Sequence, residues 1–476
     1  MQGTSRSSHL LASIALVFAL SLFLTWRNLV QANSVAQITD DDLMALPPLS
    51  LNTNTNTNTN TNTNAMTTAT ARHLKPMHMH MNMHTHLPKP TIAYAVSVTS
   101  CKKKQLVMDG ASVLQHSIHL NSVRTPSSGS TYDYEMIAFV HPDAVDCIEI
   151  LSTLNYTVHI KTVPFAINHI RGEYRKWANR TGCCGEKEWL KLYAYTLVQF
   201  PVVAHLDLDC LLLKPLDDLF DVMIYKTGRD KIPAMWLKPN DMPETIDAFF
   251  TRDYGMIGRP GHRQPHQIGV QGGFLVVRPN HSVFEEYIDI ILDGNYTEAQ
   301  GWGGAVLKYG GYYGAGTIQG LAAMYYSHLY PERAVELNRC FYNNMADYPY
   351  PKKYQKPEFA NVTNKPCITL QATCQDCRDT DIDDIRTIHQ TNCFKPWDCP
   401  PKQGVPPICI QHRYEWFRVR HLLEAKWRGE VVNATRRKDV HGLSIQELSF
   451  GFCSKHGTSG YRGIDKDLAT ITAGLK

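Results

Sequence analysis

The sequence predicts an α/β fold with a doubly wound, mostly parallel sheet. Three observations point there. From residue 91 onward short β-rich runs alternate with runs of helical spacing. The 476 residues are 43% hydrophobic, enough to bury a large core. One apolar strand ends in acidic residues, and open α/β sheets hold their ligands beyond the carboxyl ends of strands.

Ahead of that domain the chain has two segments of another kind. Leu10 to Leu24 is apolar apart from Ser13 and Ser21, and Ser7 to Trp26 contains no formal charge. That length fits a membrane span, so residues 1–9 are expected in the cytosol, 10–26 as a single-pass type II signal anchor, and the remainder in the secretory lumen, in the Golgi or another membrane of that pathway. Val30-Gln-Ala32 also reads as a cleavage site, in which case the product is secreted. Residues 27–90 read as a stem. Asn52 to Asn64 alternates Asn with Thr, and Met77 to His86 is rich in Met and His, compositions too simple for a packed core. The Met/His tract could bind copper, but a solvated spacer is the plainer reading.

Order begins with a strand over 91–99, then a helix over 108–120, where Val113, Leu114, Ser117 and Ile118 share a face. Tyr134 to Val140 is a second strand, 148–154 a helix, and 156–163 a third strand. Glu186 to Phe200 puts Trp189, Leu192, Tyr193 and Leu197 on one face and stops at Pro201, which predicts a helix. Val202 to Asp209 follows as a strand.

Along such a strand Asp207 and Asp209 share one face, with Leu206 and Leu208 on the other. Two converging carboxylates repel unless a cation lies between them, and a hard, oxygen-seeking ion there can also bridge to a diphosphate. Spacing alone is a poor guide. Asp379, Asp381 and Asp383 repeat it, as do Asp465 and Asp467, but no apolar strand precedes them, so they read as solvated or capping acids.

Trp189-Leu-Lys-Leu-Tyr193, His205-Leu-Asp-Leu-Asp209 and Leu213-Lys-Pro-Leu-Asp-Asp-Leu-Phe220 together resemble glycosyltransferase family 8, the glycogenin-like enzymes. Three later blocks extend the resemblance over about residues 91–400: Val270-Gln-Gly-Gly-Phe-Leu-Val-Val-Arg-Pro279, Thr317-Ile-Gln-Gly-Leu321, and Thr387-Ile-His-Gln-Thr-Asn-Cys-Phe-Lys-Pro-Trp397. It implies a GT-A fold over 91–400, with 401–476 as a C-terminal extension. It also implies a metal-dependent, retaining transfer from a nucleotide sugar, UDP-linked by that resemblance, to a saccharide, lipid or protein acceptor.

By that resemblance Asp207, Asp209 and His389 hold the metal. A His beside two carboxylates leans toward manganese, with magnesium second. Lys395 faces the leaving diphosphate. Val98, Ser100 and Cys101 line the nucleotide pocket, Gln271, Gly272 and Asn392 border the substrate, and Gln319 and Lys191 act at the donor sugar. Lys191 could equally be a helix-surface lysine. Two positions depart from the family pattern: Ile318 stands where an Asp is usual, and Asn392 where a Gly is usual. A catalytically silent lumenal protein that binds nucleotide sugar or glycan is the alternative these departures leave open. Glycine-rich loops at 301–304 and 309–316 can stack sugars or serve as surface turns.

The remaining bulk features agree with this picture. Forty-eight basic and 44 acidic residues give a net charge of only +4, which provides no field for nucleic acid. Six Asn-x-Ser/Thr sites begin at Asn155, Asn179, Asn280, Asn295, Asn361 and Asn433. Thirteen cysteines, crowded from Cys367 to Cys409, suit disulfides in an oxidising lumen, although Cys374-x-x-Cys377 with Cys393 and Cys399 could also be read as zinc ligands. An odd count leaves at least one thiol outside the intrachain pairs.

Overall fold

The computed structural model describes residues 90–180, 182–256, 265–359, 361–399, 405–454, 460–465 and 467. The anchor and the stem expected over residues 10–90 therefore fall outside the described residues, apart from residue 90. Among the described residues no helix is long and apolar enough to cross a membrane.

The chain runs β1 (Ile92–Val98), α1 (Lys104–Leu120), β2 (Tyr134–Val140), α2 (Ile148–Thr153), β3 (Tyr156–Ile160), β4 (Val203–Leu206), β5 (Cys210–Leu212), α3 (Asp217–Tyr225), β6 (Ala248–Arg252) and β7 (Val270–Val277). It continues with α4 (His281–Asp293), β8 (Tyr296–Thr297), β9 (Gly301–Trp302), α5 (Ile318–Met324), β10 (Ala334–Glu336), β11 (Thr387–His389) and α6 (Pro407–Trp427). Short helical turns join these elements. The main sheet has the order β10-β6-β7-β4-β1-β2-β3. Its strands pair in parallel except around β7, which is antiparallel to both β4 and β6.

Both faces of the sheet are covered, which is why its strands read as nearly continuous apolar runs. Along β1, Ile92, Tyr94, Val96 and Val98 enter a core shared with α1 and α3, while Ala93 and Ala95 enter the opposite core with α4 and α5. The alternation follows from the two-residue period of a strand.

The described residues beyond 400 pack into the same body. Trp416, Phe417 and Leu423 of α6 form a third core with Met108 and Val113 of α1, Leu211 of β5 and Ile388 of β11. Five disulfides lie in this unit: Cys101–Cys147, Cys340–Cys377, Cys367–Cys374, Cys393–Cys409 and Cys399–Cys453. The cysteines considered as zinc ligands are thus consumed by disulfides.

Two expected elements take another form. The segment expected as a helix to Phe200 is a 3₁₀ helix over Gly185–Thr196. Its buried face, with Trp189, Leu190, Leu192 and Tyr195, still packs on the sheet, so the apolar pattern is kept while the turn is tighter. The strand expected through Asp209 ends at Leu206 and resumes at Cys210 in a different, two-stranded sheet with β11. Trp302 and Tyr309, in the glycine-rich loops, are fully buried, so these two rings serve the core.

Candidate active site

The break between β4 and β5 builds the site. At its start, β4 pairs with β7 as far as Leu206 opposite Phe274, and the Asp207 N–H then donates to the Gly273 carbonyl at 3.1 Å. At its end, Cys210 lies opposite His389 in the β5–β11 ladder, and the Gln390 N–H donates to the Asp209 carbonyl at 3.1 Å. The acids therefore converge because two antiparallel pairings hold the ends of one tight turn, and not because they alternate along a strand.

Asp207, Asp209 and His389 offer one ligand atom each within 4.8 Å of one another. His389 Nε2 is 3.5 Å from Asp209 Oδ2. His389 Nδ1 is buried and has no hydrogen-bond partner. Burial lowers the His389 pKa and outweighs the pull of the two carboxylates, which keeps the imidazole neutral and able to ligate. Gly273 makes this arrangement possible: a Cβ there would lie 2.4 Å from His389 Cε1 and 2.7 Å from Asp207 Oδ2. Its neighbour Gly272 is the residue expected to border the donor sugar, and the role of Gly273 has no mark in the sequence.

Two lysines converge on the acids. Lys191, expected either at the donor or on a helix surface, is buried, and its ammonium reaches Asp207 Oδ1 at 3.0 Å, Glu188 Oε2 at 3.2 Å and the Gly272 carbonyl at 3.0 Å. Burial opposes its charge, but Asp207 and Glu188 more than compensate and raise its pKa. For Asp207 burial acts upward, while Lys191 and His389 pull harder and lower its pKa. Lys395 donates to Asp209 and remains 38% exposed at its side chain, so it can still turn outward.

The three ligand atoms lie close enough together to reach one hard divalent ion. Lys191 occupies one oxygen of Asp207 and leaves Oδ2 on the side of Gly273 and His389. Two carboxylates with one neutral imidazole form a donor set suited to manganese.

The other expected residues lie around this centre. A Cβ on Gly272 would meet Gln319 Cγ and Ile318 Cγ2 at 3.3 Å and Lys191 Nζ at 3.5 Å, so these four residues adjoin. Gln271 is buried, and its Oε1 accepts from the Gly273 N–H at 2.5 Å, which braces the glycine. Asn392 donates to Asp347 Oδ1 at 3.1 Å. Of the three residues expected to line the nucleotide pocket, Val98 points into the core, Ser100 is exposed just past the end of β1, and the Cys101 sulfur is bonded to Cys147. The decoy acids behave as solvated or capping groups: Asp381 and Asp383 pair with Lys438, and Asp465 accepts from the Asp467 N–H.

Two further acids were not found by sequence reading. Asp253, just past β6, and Asp347 are both buried and line a cavity of about 330 Å³ with Tyr348, Arg378 and Asn392. Burial and the neighbouring Asp347 push the Asp253 pKa up to about 7. Asp347 is also raised by burial, although Arg339, with Nε 3.3 Å away, pulls it down. No local motif marks either residue, because their pairing is made by the fold.

No family model and no curated protein sequence matches the chain. Among solved structures it is similar to mouse xyloside xylosyltransferase 1 (11% identity, 64% of this chain and 98% of that one, TM-score 0.38). It is also similar to the galactosyltransferase LgtC in complex with donor and acceptor sugar analogues (12% identity, 72% and 100%, TM-score 0.35). A third likeness is to the glycosyltransferase GlyE of Streptococcus pneumoniae TIGR4 (11% identity, 71% and 64%, TM-score 0.36). With TM-scores below 0.5, these likenesses decide neither family nor reaction.

Two outcomes follow from the geometry. Gly273→Ala should weaken manganese binding about 10- to 100-fold while the far-ultraviolet spectrum stays unchanged, as expected when a support of the ligands is displaced; calorimetric titration measures it, and parental affinity would contradict the assigned role. Asp253 holds its proton more tightly folded than unfolded, so its stabilising share is complete below about pH 4, shrinks as pH rises, and is gone above about pH 7. Asp253→Asn removes that dependence. Its stability relative to the parent should rise between pH 4.5 and 8 by up to about 4 kcal/mol in chemical denaturation, and parallel curves would refute the shift.

Proposed function

We propose that the chain is a divalent-metal-dependent, retaining glycosyltransferase that moves a sugar from a UDP-linked donor to a saccharide, lipid or protein acceptor. The observation that carries this reading is the meeting of Asp207, Asp209 and His389, with Lys395 at their side. Asp207, Asp209 and His389 would hold manganese, or magnesium in its place. When bound, the ion neutralises the donor diphosphate and lowers the energy of the charge that grows on it.

The residues divide the remaining work. Lys191 already uses its three donors on Asp207, Glu188 and Gly272, so it positions the Asp207 carboxylate and the β7 backbone. Lys395 is half-exposed, and it is the cation free to swing from Asp209 to the departing diphosphate, a role that contributes selectively in the transition state. Gln319 and the Gly272 backbone border the donor sugar. As an amide, Gln319 orients hydroxyls and does not act as a base. The cavity beside Asn392 and Asp347 is the space for the acceptor.

A lumenal location, behind a type II anchor or after its cleavage, is part of the proposal. It draws support from the five disulfides and from the exposure of all six sequon asparagines.

The test is a panel of UDP-sugars with manganese, read as released UDP and as glycosylated product. Asp209→Ala should reduce metal-dependent turnover to background. Lys395→Ala should lower kcat about 100-fold or more with metal binding retained. Saturable donor binding without product across the panel would instead favour a silent sugar-nucleotide or glycan binder, for which Ile318 and Asn392, the two departures from the family pattern, are the supporting features.

A further inference from the structure

Three cysteines lie outside the five disulfides among the described residues: Cys210 is buried, whereas Cys183 is exposed and Cys184 half-buried. Cys183 and Cys184 are consecutive, and their sulfurs are 2.9 Å apart. They sit in a Gly182-Cys-Cys-Gly185 turn whose two glycines have φ of +69° and +60°, a backbone that other residues rarely adopt. A Cβ at Gly185 would lie 2.8 Å from the Asn179 carbonyl oxygen, so the turn is also held close to the preceding chain.

This pair is wired to the candidate active site. Cys183 donates its S–H to Glu188 Oε1 at 2.8 Å, the other oxygen of Glu188 is 3.2 Å from Lys191, and Lys191 is 3.0 Å from Asp207 Oδ1. One thiol proton therefore shares a carboxylate with the ammonium that neutralises a metal ligand.

We propose that Cys183 and Cys184 form a reversible dithiol–disulfide switch that sets how strongly Lys191 engages Asp207. The oxidant is a glutathione-type or protein disulfide. The Cys184 thiolate attacks one sulfur of that disulfide and expels a thiolate. Cys183, having given its proton to solvent, then attacks the mixed disulfide at Cys184 and expels the second thiolate, which closes the Cys183–Cys184 bond. Two thiols are oxidised and one disulfide is reduced to two thiols.

Cys184 is placed to attack because it is partly exposed and its sulfur lies 2.9 Å from that of Cys183, the thiol that resolves the mixed disulfide. Adjacent residues across a trans peptide have Cα atoms about 3.8 Å apart, shorter than the 4.4–6.8 Å of ordinary disulfides. A bond closed there is strained and exposed, the combination that makes a disulfide easy to reduce. The five others join mostly buried cysteines and should stay oxidised over the same range.

Closure removes the proton that Glu188 accepts. Its carboxylate then draws Lys191 inward and weakens the hold on Asp207, which leaves that acid freer to bind a cation. The consequence for catalysis rests on the function proposed above, but the thiol chemistry and the metal affinity can be measured without a sugar donor.

The experiment equilibrates the full-length protein along a glutathione/glutathione disulfide series, alkylates it under denaturing conditions, and weighs it. Labelled thiols outside the five disulfides should fall from three to one within the series, leaving Cys210, and manganese should bind about 3- to 10-fold more tightly to the oxidised form. Cys183→Ser/Cys184→Ser, which keeps a hydroxyl donor to Glu188, should fold, bind manganese as the reduced protein does, and ignore the series. A constant count overturns the proposal. So does stoichiometric zinc retained on Cys183, Cys184 and Glu188, or a thiol change that leaves manganese affinity unmoved. Failure of the sugar panel alone touches only the function proposed above.

Discussion

The site depends on one backbone constraint: the turn between β4 and β5 is held at both ends by antiparallel partners that come from distant parts of the chain. β7 takes the incoming side through Phe274 and Gly273, and β11 takes the outgoing side through His389. Neither partner alone would bring an imidazole to the acids. Their pairing fixes the turn, supplies the third ligand and leaves room for it, because the residue opposite Asp207 has no side chain. The third core beneath, where Leu211 and Ile388 meet Trp416 and Phe417, ties that ladder to the C-terminal helix and anchors it with apolar contact.

Electrostatics then decides what the turn can do. Two carboxylates in partial burial would be costly alone, and the chain answers with Lys191 and Lys395. The two cations are not equivalent. Lys191 is enclosed and saturated with partners, so it behaves as part of the frame. Lys395 is partly exposed and held by a single acid, so it can change partners when charge appears elsewhere.

The parts of this arrangement that are local in cause were legible in the sequence. Tyr134 to Val140 reads as a strand and is one, because burial on both faces leaves an apolar run from Met136 to Val140. Val203 to Leu206 reads equally well, but the alternation of Leu and Asp continues past the point where the strand stops, so its end was invisible. What ends it is β11 claiming Cys210, a partner far along the chain. Asp253 and Asp347 were hidden for the same reason: each looks like an ordinary surface acid, and only the fold buries them side by side. That Gly273 faces His389 is likewise a tertiary fact.

The apolar residue at 318 can be understood in these terms. Ile318 is 1% exposed and belongs to the core on the α4 and α5 side of the sheet, so its position is filled by packing. An acid placed there would need a partner, yet Lys191, which adjoins Gly272 as Ile318 does, is already saturated by Glu188, Asp207 and Gly272. Glu188 and Asp207 already supply the negative charge beside Lys191, and an apolar residue at 318 suits the core it packs in. On the proposed reading, polar contact with the donor sugar then falls to Gln319 and the Gly272 backbone. An amide and a carbonyl discriminate among hydroxyls by hydrogen-bond geometry, with no added charge to select for it.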